Sequence, residues 1–277
     1  MAQVQLKQSP DRISVVIDGK PFTEFFVGAE AVKPYLHPLR TANGKIVTRS
    51  YPMETVAGEA KDHPHHRGLW MTHGLLNEVD FWANEKNQKG AGKAGRGVIV
   101  TRRITAVESG KKKGTIGANF EWQDPSGKGL LAEKRTMTFY SHPTQRWVDF
   151  DVTLTAMEDV VFGDTKEGMF AIRLTTELEE KHSGKMRNAE GKEGEKQVWG
   201  KRSPWVDYAG TLEGEKVGLA ILDHPTNPRH PTWWHARDYG LFAANPFGLH
   251  DFEKKEKGSV TIVTVSPCEC AERLTRI

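Results

Sequence analysis

The chain has 277 residues, with 39 basic and 36 acidic side chains spread along its length and a formal charge of +3. A nucleic-acid groove needs clustered Lys and Arg with interleaved aromatics, and a membrane span needs about eighteen consecutive apolar residues; neither pattern occurs, so no nucleic-acid or membrane partner is expected. With no long low-complexity stretch, the length fits one large β domain over 1–277, since sandwiches and barrels often exceed ~200 residues as single units.

The opening residues, Met1 to Lys7, lack the apolar core of a secretory leader, and cytoplasmic and periplasmic locations both stay open. Short β-branched runs then recur at 12–18, 97–107, 115–123, 130–141, 146–157, 170–178, 217–222 and 259–266. Their spacing predicts antiparallel β structure. The pattern is cleanest after Trp147, where Val148, Phe150, Val152 and Leu154 alternate with Asp149, Asp151, Thr153 and Thr155, as in a strand with one wet face. Turn signals separate the runs at Asp18-Gly19, Asn43-Gly44, Ser109-Gly110, Pro125-Ser126-Gly127 and Glu213-Gly214. Lys111-Lys112-Lys113 follows one of these and reads as a solvated hairpin tip. No stretch carries amphipathic helical periodicity over three turns.

Two connections are long, at 84–95 and 179–196. The second has almost no apolar residues, which predicts mobility there and no chemistry from His182. Cys268 and Cys270, one residue apart in an apolar run, would share a strand face too closely for a disulfide and read as buried free thiols, or as part of a metal site that would need further ligands.

Seven of the eleven histidines fall in two short segments. The first is Asp62-His63-Pro64-His65-His66-Arg67-Gly68, continuing to His73 and then Asp80-Phe81-Trp82. The second runs from Asp223-His224-Pro225 through Arg229-His230-Pro231 to Trp233-Trp234-His235-Ala236-Arg237-Asp238. Imidazole donates, accepts, ligates metal and titrates near neutrality, so massing it with Arg, Asp and Trp predicts a polar pocket whose two halves folding joins. Proline after His63 predicts an extended segment over 63–66, with His63 and His65 on one face and His66 on the other. Two imidazoles so placed could grip a metal, contact a sugar, act as acid and base, or anchor the loop. Arg67 needs a carboxylate or an electron-rich substrate oxygen, with Asp62 and Asp80 as its structural partners.

The second segment has three prolines and reads as an ordered loop. Its Trp233 and Trp234 offer either a platform for a sugar ring or plugs for the sandwich, and Asn245 and His250 follow closely. Glu167, beside Gly168 at a strand entrance, is placed to act as general acid or base, or else to pair with Arg173, Lys201 or Arg202.

These segments, together with Gly163-Asp164-Thr165-Lys166-Glu167-Gly168 and Arg237-Asp238-Tyr239-Gly240, resemble the DUF6807 family, whose members are often labelled "methane oxygenase PmoA". The resemblance runs from about Tyr35 to the C-terminus. The label implies a membrane oxygenase subunit, which needs several spanning helices that this sequence does not encode. The resemblance implies instead a large antiparallel β-sandwich, similar to the supersandwich of galactose mutarotase and other carbohydrate-active proteins. In aldose epimerases a histidine serves as acid and a glutamate as base, and His235 or His65 with Glu167 match those residue types, although the flanking sequence departs from the epimerase motifs.

The expectation is therefore an all-β carbohydrate-active enzyme of epimerase, lyase or hydrolase type, with a small-molecule carbohydrate as its partner. His65, His66, Glu167, His235 and Arg67 would carry the chemistry. His63, His73, Asp80, Trp82, His224, His230, Trp233, Trp234, Arg237 and Asn245 would bind substrate. No cofactor and no metal ligand is assigned, and oligomeric state is not legible. A noncatalytic carbohydrate-binding protein and a His-ligated metal enzyme are the alternatives.

Overall fold

The computed structural model describes residues 3–86, 88, 92–254, 261–263 and 272–276, so Cys268 and Cys270 lie outside the described residues. In chain order the strands are β1 (Val4–Gln8), β2 (Arg12–Ile17), β3 (Lys20–Phe26), β4 (Tyr35–His37), β5 (Leu69–His73), β6 (Val98–Glu108), β7 (Lys113–Gln123), β8 (Gly129–Ser141), β9 (Arg146–Ala156), β10 (Val160–Phe162), β11 (Gly168–Arg173), β12 (Lys185–Asn188), β13 (Trp205–Leu212), β14 (Glu215–Leu222), β15 (Trp233–Ala236), β16 (Leu241–Asn245), β17 (Thr261–Val263) and β18 (Glu272–Arg276). Two short helices, α1 (Glu195–Val198) and α2 (Leu249–Glu253), interrupt them. Among the described residues no helix is long and apolar enough to cross a membrane.

An eight-stranded sheet of order β1-β2-β3-β4-β5-β11-β16-β15 faces a five-stranded sheet of order β18-β9-β8-β7-β6. Ring contacts join the two: Phe22 to Phe139, Phe25 to Phe120 and Phe150 to Phe170. The sheets remain open, and the fold is the all-β sandwich that the spacing of strand runs predicts. Smaller sheets, β12-β13-β14 and β10-β17, complete it.

Local chemistry sets the hairpins. Asp18 and Gly19 both take positive φ (53° and 75°), as do Glu213 and Gly214 (49° and 81°), the geometry whose twist suits a two-residue connection. Asp124 Oδ1 accepts from the Ser126 and Lys128 amides and closes the turn between β7 and β8. In β9 the predicted inward set holds, with Phe150, Val152 and Leu154 buried.

One buried pair breaks the apolar pattern. Glu133 and Arg135 sit on the core face of β8, where Arg135 Nε donates to Glu133 at 2.6 Å and Trp122 Nε1 donates to its other oxygen at 2.8 Å. The Arg135 guanidinium lies over Phe120, 5.0 Å from its centroid.

Segment 179–196, structureless by composition, contains β12 and the start of α1; buried Met186 anchors it beside Val206 and Tyr208. Residues 233–236, predicted as loop, form β15 at the edge of the large sheet.

Candidate functional site

The site lies on the outer face of the large sheet. Along β5, β11 and β16, alternate residues divide between the faces. Leu69, Met71, Phe170, Ile172, Phe242 and Ala244 enter the sandwich core, while Trp70, Ala171, Leu241 and Ala243 join a second cluster with Tyr35 and Trp82. Small side chains at Ala171 and Ala243 leave room above the sheet, and residues 63–66, 80–83 and 165–167 wall that space. The result is a cavity of about 650 Å³, ligand-sized, lined among others by His63, His65, His66, Asp80, Trp82, Lys166, Glu167, His235, Arg237 and Tyr239.

The two histidine segments thus meet. The first does so as a turn rather than as an extended run. His63 takes φ 45°, and its carbonyl accepts from the His66 amide and from Arg49 Nη2, both at 3.0 Å. That anchoring overrides the extended preference of a residue before proline. All three rings consequently cluster, with centroids 4.3 Å apart for His65 and His66 and 4.8 Å for His63 and His66. Gly68 lets the chain leave the turn: its φ is +57°, and a Cβ there would stand 2.2 Å from the Leu36 carbonyl oxygen. Across the cavity, the Gly74 amide donates to the Glu167 carbonyl at 2.7 Å, an approach that a side chain on Gly74 would obstruct.

Beneath the turn lies a charged hub. Arg49 and Arg173 are both fully buried, and both donate to Asp62. Burial alone would push the Asp62 carboxyl up, but its bond to His63 Nδ1 and the two guanidiniums hold it well below the ordinary carboxylate range. His63 therefore donates from Nδ1, which in the neutral ring leaves the lone pair at Nε2. Arg173 Nη1, which can only donate, reaches His66 Nδ1 at 3.1 Å, and Gln88 Nε2 donates to His65 Nδ1 at 2.6 Å. Those two rings carry their proton at Nε2. His235 is the reverse: Nδ1 donates to the Lys166 carbonyl at 2.9 Å, leaving Nε2 as an acceptor.

Burial pushes the His65 imidazole down to about 2 and His235 to about 3, and holds His66 far below its ordinary value, so all three rings are neutral at pH 7. It pushes the Tyr239 phenol up to about 12. Tyr239 stacks on His63 at 5.4 Å, with Arg173 4.7 Å from its ring centroid. Glu167 pairs with its neighbour Lys166 at 3.2 Å, not with Arg173, Lys201 or Arg202. Asp80 accepts the Trp82 and Ala83 amides, and burial raises its carboxyl.

Several predicted site residues lie elsewhere. Arg67 forms a two-pronged pair with Glu85, 2.7 and 2.9 Å, and lies over Tyr35; neither Asp62 nor Asp80 is its partner, and it does not line the cavity. Arg67→Met should therefore cost about 1–3 kcal/mol by stranding the largely buried Glu85, while ligand affinity stays within about threefold. Denaturant titration with calorimetry checks this, and a tenfold affinity loss at unchanged stability would return Arg67 to the site.

His73 points into the core side, donates from Nε2 to the Gly163 carbonyl and contacts Phe162 and Phe247. Trp234 is buried in the sandwich and donates to the Ser203 carbonyl; Trp233 donates to Glu253 under the Arg202 guanidinium. Both tryptophans are plugs rather than platforms. His224 bonds Thr226, and His230 bonds Asp223, which together organise their own loop. Asn245 supports the cavity wall from below by donating to the Thr165 carbonyl. Sequence reasoning missed Tyr239, Lys166, Gln88 and Arg49. Tyr239, three residues past Ala236 in a histidine segment, and Lys166, beside Glu167, carried a local signal; Gln88 and Arg49 did not.

Among the described residues no group of three or more His, Cys, Asp or Glu is arranged to hold a metal ion. Two open antiparallel sheets with a cavity of mixed polar and apolar lining outside one of them define an all-β sandwich protein with a ligand-sized site on its large sheet. More particularly, the chain belongs to the family of unknown function DUF6807, whose model matches residues 12–268. No curated protein and no solved structure gives a significant match.

Proposed function

We propose that this protein is an enzyme acting on a sugar or sugar derivative by general acid-base chemistry. The observation that carries the reading is the convergence, on one cavity, of four imidazoles from two distant segments with the Glu167 side chain. A sugar offers many hydroxyls beside apolar C–H faces, and this wall supplies donors (Lys166, Arg237, Tyr239), acceptors (Glu167, Asp80), imidazoles of both tautomers, and apolar surface at Trp82 and Leu241.

In this reading Glu167 and His63 move protons. His63 combines cavity access with an Asp62 partner that fixes its tautomer and balances the charge formed on protonation. The neutral His65, His66 and His235 are poor proton carriers and serve as hydrogen-bonding groups. Arg237, paired to Glu195 at 3.1 Å, borders the opening.

A thermal-shift and turnover screen against monosaccharides, disaccharides, keto-sugars and uronic acids tests the proposal. At a ligand concentration of about 100 Kd, stabilisation near 2.7 kcal/mol is expected for a sugar that binds. The same incubations should show chemical change in that sugar. Binding without change would make this a carbohydrate-binding protein, and a panel with no shift at all would refute both readings.

A further inference from the structure

We infer that the Nε2–H groups of His65 and His66 form a cradle for an oxyanion, so that the substrate is a carbonyl-bearing sugar, a keto-sugar or a uronic acid, deprotonated at the carbon beside its carbonyl. This rests on the acid-base reading above.

The tautomers lead there. Each ring accepts at Nδ1, from Arg173 and from Gln88, so each neutral ring presents N–H at Nε2. Neither Nε2 has a hydrogen-bond partner among the described residues, and both side chains line the cavity within one tight turn. Two uncharged donors side by side stabilise charge that develops on an oxygen without giving up a proton to it. Burial, which keeps both rings from protonating, suits that task and makes them unfit as general acids.

The charges behind the turn choose between reaction classes. Arg49 and Arg173, both fully buried, share one Asp62 carboxylate; Glu179 stands 3.9 Å from Arg173 and is itself bound by Lys181 at 2.8 Å. Glu59 also acts on Arg49, so carboxylates match cations in number, but the charged side chains that act most on the two rings are cations: Arg173 and Arg49 on His66, Lys33 and Arg49 on His65. That field opposes the cationic sugar ring of glycoside hydrolysis and favours an enolate.

The chemistry closes without a redox partner. One of His63 Nε2 and the Glu167 carboxylate takes the proton from carbon. The C–H pair becomes the C=C bond, and the carbonyl π pair moves onto oxygen, where His65 and His66 hold it. The other group of the pair, entering protonated, returns a proton to the same carbon. Delivery to the opposite face inverts that centre.

The test is exchange in deuterium oxide, followed by NMR, with D-fructose, a 3-keto-glucoside and D-glucuronate as carbonyl probes and methyl β-D-glucopyranoside and sorbitol as controls. Wild-type protein should place deuterium on the carbon beside the carbonyl of at least one probe and leave the controls unlabelled. His65→Ala should slow that exchange about 100-fold, and His65→Gln, which keeps an N–H donor, should recover part of it. A four-carbon aldonohydroxamate, planar like an enediolate, should bind wild type at least tenfold more tightly than the corresponding aldonamide, a measurement that needs no variant to fold. Cleavage of a glycoside with no C–H exchange would overturn the inference and leave the acid-base enzyme standing. Exchange that His65→Ala leaves unchanged in a folded variant would also overturn it. No binding of any sugar would overturn both.

Discussion

Glu167→Gln should lower turnover of the sugar selected by screening by roughly 10²–10⁴-fold, with affinity within a few-fold of wild type. The amide keeps the size and hydrogen-bonding reach of the carboxylate but can no longer take a proton. The Lys166 ammonium, 3.2 Å away, loses its ion-pair partner in a half-exposed position, so the stability cost should stay near the ~0–1 kcal/mol of an exposed pair. Steady-state kinetics beside a melting curve separate the two effects. A variant within threefold of wild type would remove Glu167 from the chemistry, and a large loss confined to affinity would make it a binding residue.

Stability should fall steeply as the pH drops below about 6.5. Burial holds five imidazoles below their ordinary value: His37 and His73 at about 4, His235 at about 3, His65 at about 2, and His66 lower than ordinary by a wide margin. Neighbouring cations add to the effect, Arg40 and Arg67 at His37 and Arg173 at His66. Between pH 6.5 and 4 the unfolded chain binds protons at these positions and the folded chain does not, so unfolding gains proton uptake as pH falls. Each such group contributes up to about 1.4 kcal/mol per pH unit, and five together reach several kcal/mol per unit, comparable with the ~5–15 kcal/mol that holds a typical domain folded. Lys33 is fully buried and donates to the Trp82 carbonyl and Asn84; burial lowers it to about 7. Its folded value is also depressed, so its contribution grows as pH rises from about 7 towards 10.4. The denaturation free energy should therefore climb through pH 5–6.5 and keep a shallow upward slope above 7. A flat profile from pH 5 to 7 would mean that these rings ionise in place.

What the sequence made legible followed exposure. Strands with one wet face, such as β9, announced themselves by alternation, and Asp18-Gly19 and Glu213-Gly214 marked their hairpins. The strands that carry the site showed no such alternation, and only β11 fell within a run read from the sequence, at 170–178. Every residue of β5, β11, β15 and β16 is buried, because loops roof the outer face as the second sheet covers the inner one. A strand covered on both sides has no period-two signal. The convergence of the two histidine segments was readable from composition, since so many polar rings need a shared polar environment. Their local geometry was not: the turn at His63 depends on Arg49, and the place of Arg67 depends on Glu85, neither adjacent in sequence.

Glu133 and Arg135 bear on how the sandwich assembles. Apolar alternation in β8 rejects a slip of one residue, which would turn its core side chains out to water, but it is blind to a slip of two, which keeps every side chain on its own face. A two-residue slip would carry the carboxylate away from Trp122 Nε1 and the guanidinium off Phe120, leaving a dry charge half-satisfied. Hydrocarbon thus sets odd from even, and three polar side chains in the middle of it choose among the even alignments.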